Sequence, residues 1–430
     1  MEVMEKILRT GEKLVPRGLY RFFQPIYHWD LAIFSAFIYG FPSRKIKVIG
    51  VTGTKGKSST VEIINAILEE AGNKTALTNT IRFKVGNESE RNMHKMSMPG
   101  RFFMQKFIRR AIDAKCDYAI LEMTSQGAFF YRDRFIDLDA FVFTNISPEH
   151  IEAHGSYENY LNAKLGIAQR MASSKKKDRV LIVNGDDKES GRFLEAKADR
   201  KIIYKLTDVE PYKIGGGAPS ANPQGINFTW GGQRVHSPLS GLFNLYNILA
   251  AITATKSQNV NDEVIVRAIE KFSDIPGRVQ KIDAGQNFEV IVDYAHTTDS
   301  MEKLFQTFPN SRKICVFGST GGGRDAWKRP EMGAVADKYC DEIILTDDDS
   351  YDEDPQKIVE EIAKGIVKNK PTLLVDRRVA IRTALEKARP GDTVLIIGKG
   401  TDPYLMGPKG SKIPWSDADI AREEIEKLNR

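Results

Sequence analysis

Short apolar runs alternate with stretches of helical period along most of the chain. Strand-length runs fall at Lys47–Val51, Tyr118–Leu121, Phe141–Thr144 and Val180–Val183. Between them, helical patterns cover Val61–Ala71, Phe102–Ala114 and Tyr157–Met171. This alternation predicts a mainly parallel sheet covered by helices on both faces. Gly215–Pro223 is rich in Gly, Pro, Ser and Asn and is expected to be a loop. Beyond it, Ile226–Trp230 and Gln233–His236 flank Gly231-Gly232 as a hairpin. A second α/β series follows Pro276-Gly277, with strand candidates at Glu289–Val292, Lys313–Phe317, Glu342–Leu345 and Thr393–Ile397. The Pro-Gly break sets a boundary within 272–280. It divides the chain into a short segment over 1–44, a central domain over 45–275 and a C-terminal domain over 276–430.

The segment before the first strand breaks this pattern. Tyr20, Phe22, Phe23, Tyr27, Trp29, Phe34, Phe37, Tyr39 and Phe41 crowd into a helical stretch. Its uncharged part, Leu31–Phe41, is too short for the ~20 residues of a spanning helix. Two readings stand: a helix docked on the next domain, or a surface that meets lipid or a lipid-linked substrate.

Composition narrows the classes. The 430 residues suffice for two or three cored domains, and 41% hydrophobic with 28% charged content is ordinary for a soluble protein. A net charge of +6 without a basic stripe argues against nucleic-acid binding. Cys116, Cys315 and Cys340 are far apart, so neither a disulfide framework nor a cysteine-rich zinc site is expected, and a reducing cytoplasm fits.

The chemistry concentrates where the first apolar run ends. Val48-Ile-Gly-Val-Thr-Gly-Thr-Lys-Gly-Lys-Ser-Ser-Thr60 reads as a strand, a glycine-punctuated turn and a helix start. Backbone N–H groups at Gly53, Thr54, Lys55, Gly56 and Ser59 could cradle phosphates, Lys57 could neutralise them, and Ser58 could offer its hydroxyl to a nucleotide-bound Mg2+. Glu122 follows another apolar run, at the sheet edge where ligands bind, and is a natural Mg2+ ligand. His150, just past a strand end, and Lys164, on a helix, are weaker candidates by themselves. Asn244 and Asn247 stand three apart near a helix start, either to read a purine edge or to cap. Arg278 at the domain hinge could reach a terminal phosphate.

Together these segments resemble the Mur ligases, the ATP-dependent amide-forming enzymes of bacterial cell-wall precursor synthesis, and most of all the type that adds the third peptide residue. The resemblance runs from about Lys45 to Ile420. It rests on the phosphate loop, Glu122-Met-Thr-Ser-Gln-Gly, Thr144-Asn-Ile-Ser-Pro-Glu-His and Tyr160-Leu-Asn-Ala-Lys. It continues in Phe243-Asn-Leu-Tyr-Asn, Pro276-Gly-Arg, Val292-Asp-Tyr-Ala-His, Phe317-Gly with Lys328-Arg-Pro, Asp376-Arg and Gly398-Lys-Gly. It implies a P-loop central domain and a Rossmann-like C-terminal domain. Lys57 and Ser58 would hold ATP phosphates and one Mg2+ with Glu122, while His150 would bind a second Mg2+ and Lys164 would be carbamoylated. Asn244 and Asn247 would meet adenine, Arg278 the γ-phosphate, and Asp293 the nucleotide. Ser125, Gln126 and Arg132 would face the muramoyl-peptide acceptor. Arg377, Lys399 and the Asp347–Tyr351 loop would surround the incoming amino acid. The implied reaction forms an acyl phosphate that an amine then attacks, in a cytoplasmic monomer.

Three departures matter. Lys55 replaces the usual asparagine of the loop, and Ser58 the usual threonine. The stretch before Lys47 is short for a nucleotide-sugar-binding domain, since domains rarely fall below ~50 residues; an acceptor without UDP, even a lipid-linked one, is the alternative. Finally, Asp348-Asp349-Ser350-Tyr351 stands where diaminopimelate-adding relatives carry Asp-Asn-Pro-Arg. Carboxylates at Asp347, Asp348, Asp349 and Asp402 favour lysine or ornithine over diaminopimelate on electrostatic grounds. A non-catalytic nucleotide-binding scaffold is the contrasting function, disfavoured by Lys57, Glu122, His150, Lys164 and Arg278.

Overall fold

The computed structural model describes residues 17–149, 154–215, 225–323 and 326–429, with side chains from residue 24 onward. Helix α1 (Arg17–Ile38) precedes β1 (Lys47–Thr52) and α2 (Lys57–Glu70). Then come β2 (Thr75–Thr78), β3 (Arg82–Val85), β4 (Glu88–Arg91), α3 (Arg101–Asp113), β5 (Tyr118–Glu122), α4 (Ser125–Phe129), β6 (Ala140–Phe143), α5 (Tyr157–Arg170), β7 (Val180–Asn184), α6 (Ser190–Leu194) and β8 (Arg200–Tyr204). These strands form one sheet in the order β4-β3-β2-β5-β1-β6-β7-β8. Strands β2, β5, β1, β6, β7 and β8 run parallel, and the β2–β3–β4 edge is antiparallel.

Central strands β1, β5, β6 and β7 are buried almost throughout because helices cover both faces. Register positions the site. Val51 pairs with Glu122 on one side, and Thr52 with Phe143 on the other. The loops after β1, β5 and β6 therefore leave the sheet side by side at its carboxyl edge.

A small antiparallel sheet follows, from β9 (Lys213–Gly215), β10 (Gly225–Trp230) and β11 (Gln233–Ser237). The β10–β11 hairpin turns at Gly231-Gly232, both at positive φ, as the sequence predicted. The loop expected at Gly215–Pro223 lies outside the described residues beyond Gly215. Helix α7 (Leu242–Ser257) packs along α2, and α8 (Asp262–Lys271) joins them.

The second sheet contains β12 (Gln280–Lys281), β13 (Glu289–Asp293), β14 (Lys313–Phe317), β15 (Glu342–Leu345), β16 (Thr372–Leu373) and β17 (Thr393–Ile397) in the order β12-β13-β17-β14-β15-β16. All its neighbours are parallel except β12–β13. Helices α9 (Thr298–Gln306), α10 (Lys328–Tyr339) and α11 (Pro355–Ala363) bury one face, while α12 (Arg377–Lys387) and α13 (Asp417–Leu428) bury the other.

One expectation is overturned here. Cys315 on β14 and Cys340 after α10 form a buried disulfide, with Cα atoms 6.2 Å apart. Twenty-five residues separate them in sequence, but the α10 crossover brings the chain back beside β14. Cysteine spacing therefore lends no support to a reducing compartment. No described helix is long and apolar enough to cross a membrane.

Candidate functional site

The loop after β1 is shaped by what surrounds it. Gly56 caps α2 in the left-handed region (φ 81°), and a Cβ there would lie 2.1 Å from Asn247 Oδ1. Only glycine allows that approach. Thr54 N–H donates to Asn145 O at 2.8 Å, and Thr54 Oγ1 lies 2.9 Å from the Tyr160 hydroxyl. Lys57 Nζ donates to Thr54 O at 2.9 Å, folding the side chain back over its own loop. Its pKa is lowered, chiefly by desolvation, against the pull of Glu122 and Glu149.

Ser58 and Glu122 meet as β-sheet register dictates. Ser58 Oγ donates to Glu122 Oε2 at 2.7 Å. The same carboxylate accepts from Thr80 N and Oγ1 and from Ser97 Oγ, all within 3.1 Å. A buried carboxylate and a hydroxyl at a phosphate loop are hard oxygen donors that suit Mg2+, which keeps most of its shell as phosphate and water. No cluster of three or more His, Cys, Asp or Glu able to hold a metal occurs among the described residues.

Lys164 is buried on α5, with Nζ donating to Gly53 O at 2.6 Å and lying 4.9 Å from the Tyr160 ring centre. Desolvation, reinforced by Lys57, holds its pKa well below the ordinary lysine value. His150 lies outside the described residues. Asn244 and Asn247 are buried together at the start of α7, with Asn247 Nδ2 donating to Asn244 Oδ1 at 3.1 Å and Asn244 Nδ2 to Ser240 O at 2.8 Å.

The charge of Lys55 is paired within the protein. Its Nζ pairs with Glu149 at 2.9 Å, and Glu149 lies 3.4 Å from His296 of the C-terminal domain. Its backbone is pinned by Asn145 and Thr144. Arg278 stacks on Tyr294, its guanidinium 4.4 Å from the ring centre. Asp293 is held by the backbone around it. Its carboxylate accepts from Val279 N and Ala295 N, both at 2.7 Å, and so anchors the hinge that carries Arg278. Burial raises its pKa against the opposing field of Arg278.

Among the residues expected to face the acceptor, Ser125 is buried at the start of α4, 3.2 Å from His154 Nε2. Gln126 is exposed. Arg132 donates to Met98 O at 2.6 Å, holding the loop that carries Ser97. A cavity of about 380 Å³ lies beside them, walled by Gln24 and His28 of α1, Phe129, His154 and Arg170. His154, Thr80, Ser97, Asn145 and Glu149 were not singled out from sequence. His154 alone had a legible sign, its four-residue spacing from His150.

The carboxylate cluster differs most from expectation. Lys399 is buried with Nζ 2.7 Å from Asp349, 3.4 Å from Asp348 and 3.6 Å from Asp402. From the central domain, Lys95 reaches Asp349 at 2.6 Å and Asp402 at 3.0 Å. Burial works to raise the pKa of Asp349, but Lys399 and Lys95 hold it below the ordinary value. Desolvation favours the neutral form of Lys399, yet the three carboxylates outweigh it and raise its pKa. The charge excess that favoured lysine or ornithine is thus offset within the protein. Arg377 is also spent: it is 0% exposed and forks onto Asp417 at 2.8 and 2.6 Å, with further bonds to Asp347 O and Ile397 O.

Two family models cover most of these groups, the Mur ligase middle domain over residues 51–255 and the Mur ligase glutamate ligase domain over 277–400. A UDP-N-acetylmuramoyl-L-alanyl-D-glutamate–2,6-diaminopimelate ligase of Syntrophomonas wolfei is 37% identical over 401 residues, covering 91% of this chain and 81% of that protein. The chain belongs to the Mur ligase family. A UDP-N-acetylmuramyl-tripeptide synthetase of Roseiflexus is 34% identical, covering 93% of this Mur ligase and 82% of its own length. A solved diaminopimelate ligase structure superposes with a TM-score of 0.61 at 28% identity, over 90% of this chain and 79% of the other. Mycobacterium tuberculosis folylpolyglutamate synthase complexed with ADP shares the fold, with a TM-score of 0.65 at 16% identity over 86% of this chain and 91% of its own. Like its family, this Mur ligase is an ATP-dependent acid–amino-acid ligase.

Proposed function

We propose that this Mur ligase adds 2,6-diaminopimelate to a UDP-linked muramoyl dipeptide through an acyl phosphate, in the cytoplasm. The observation that carries the reading is the convergence of Lys57, the Ser58–Glu122 pair and Lys164 on one phosphate loop, with Arg278 at the hinge. The acceptor carboxylate and the γ-phosphate are both anionic, so their approach needs positive charge held in place beforehand. Lys57 and Arg278 supply it, from the loop and from the hinge. Ser58 and Glu122 would hold Mg2+, which when bound offsets phosphate charge and polarises the transferred phosphoryl group. Asn244 and Asn247 would take the adenine edge.

The depressed pKa of Lys164 supports its carbamoylation, because only the neutral amine adds to CO2. Its nitrogen bonds to the CO2 carbon as one C=O π pair moves onto oxygen, and the N–H releases a proton to water, leaving a carbamate anion in place of the neutral amine. Ser125, His154 and Arg132 border the acceptor side. Closure, fixed by Arg91 donating to the carbonyls of Thr401, Asp402 and Trp415, would keep water from the acyl phosphate.

The preference for diaminopimelate rests on the relatives' names and on the two lysines among the carboxylates. Incubation with ATP, Mg2+, UDP-linked muramoyl-alanyl-glutamate and each candidate amino acid, read by mass spectrometry, tests it. A tripeptide product with diaminopimelate is expected. Product with lysine or ornithine alone would overturn the amino-acid assignment, and no product with any would overturn the acceptor.

A further inference from the structure

Helix α1 has two faces of opposite character. Ala32, Ser35 and Ala36 are buried, and the helix packs on α3. Ring contacts of Trp29 with Phe135 and Phe34 with Phe102 secure its rims. The other face carries Ile26, Phe34, Phe37 and Ile38, exposed by 54%, 50%, 71% and 51%, with Trp29 at 43%. At roughly 100° per residue, Ile26, Ile33 and Phe37 fall along one line of the helix, with Phe34 and Ile38 beside it. One acidic residue, the exposed Asp30, interrupts this face between Phe37 and Phe34 around the helix; the apolar residues that flank it are grouped as on an interaction surface rather than scattered.

Charge identifies the partner. Between Lys13 and Lys47 the sequence holds six cationic residues, Lys13, Arg17, Arg21, Arg44, Lys45 and Lys47, against one acidic residue, Asp30. Helix α3 adds Arg101, Lys106, Arg109 and Arg110 before its first acid, Asp113. Arg44, Lys45, Lys47, Lys106 and Arg110 are exposed. The core of a protein–protein interface is depleted in charge, whereas an aromatic and aliphatic stripe between cations matches an anionic bilayer surface. We propose that α1 lies flat on an anionic membrane, its apolar face at the headgroup–acyl boundary, and holds the ligase there. The phosphate loop and the carboxylate cluster are built without this face, so soluble turnover does not depend on it.

Co-sedimentation of the full chain with phosphatidylglycerol-containing vesicles tests the proposal. Binding should fall about tenfold with pure phosphatidylcholine, with raised salt, and in an Ile26→Glu, Phe37→Glu double variant. That variant should keep wild-type circular dichroism and solution ligase activity. Vesicles should shift the tryptophan emission to the blue, and Trp29→Phe should remove the shift. The proposal is overturned if the wild type stays in the supernatant, or if the double variant sediments equally. It also falls if sedimentation velocity shows a dimer that the variant dissolves, since a second copy then covers the face. Vesicle binding that appears only after residues 1–16 are removed would assign the face to that segment instead.

Discussion

The phosphate loop and the carboxylate cluster both sit at carboxyl edges of parallel sheets, yet they spend their charges differently. Around Lys57 and Glu122 the partners are mostly loop carbonyls, amides and hydroxyls, which fix the side chains without cancelling them. Around Asp348 and Asp349 the partners are Lys399 and Lys95, so opposite charges cancel inside the protein. A site that must receive a highly charged ligand is held by dipoles. A site whose charges come from two domains can be completed, or emptied, by their closure. Reading the second cluster as a free acidic pocket failed because its cation Lys95 lies some 250 residues away in sequence.

Substitutions can break this contrast. The largest effect is expected from Lys57→Met, which should lower ATP turnover by about 10³-fold or more with the fold intact, since it removes charge where the transition state builds it. Phosphate release with circular dichroism as control measures this, and retained turnover would show that Lys57 is structural. Next comes Arg377→Met. It leaves Asp417 buried without its partner and should destabilise the C-terminal domain by about 3–5 kcal/mol in denaturant titration. An unchanged midpoint would mean that the pair is dispensable and that Arg377 is free to serve a ligand.

Lys95→Met should be milder and more specific. It uncovers negative charge at Asp349 and Asp402, and should shift relative kcat/KM towards lysine over diaminopimelate by about tenfold. Equal losses for both amino acids would reduce Lys95 to a domain clamp. Lys55→Asn should cost the least, under about 1 kcal/mol of stability, because the Lys55–Glu149 pair is partly solvated.

A pH experiment probes the same edge. Asp347 is pushed up to about 6, mainly by burial and then by Asp348, and its Oδ1 has no hydrogen-bond partner among the described residues. An acid whose folded pKa is raised binds more protons folded than unfolded between its ordinary value and 6. Stability therefore declines as pH rises through that window. Asp347→Asn should flatten this slope in denaturation midpoints measured from pH 4 to 7, and an unchanged slope would assign it elsewhere.

The alternating runs, the Gly231-Gly232 hairpin and the phosphate loop were legible because each is a local pattern with a local cause. The meeting of Ser58 and Glu122 has a related cause, since Glu122 ends β5 beside β1 and Ser58 opens the helix that follows the β1 loop. The contacts of Asp293 with the hinge backbone and of Arg377 with Asp417 were not legible, because a charged residue in a motif looks the same whether it faces a ligand or a partner within the protein. The Cys315–Cys340 disulfide was missed because sequence spacing says nothing about a crossover that returns to its own sheet.

By itself the sequence determined the two α/β layers, the family and the glycine-punctuated turn after β1, since periodicity and glycine placement act over a few residues. Tertiary structure alone decided which charges remain available. It turned Lys55 onto Glu149, buried Lys164 so that desolvation lowers the pKa of its amine, and brought Lys95 across the domain boundary to the carboxylates. Electrostatic interactions depend on distance and desolvation, and the chain acquires both only when it folds.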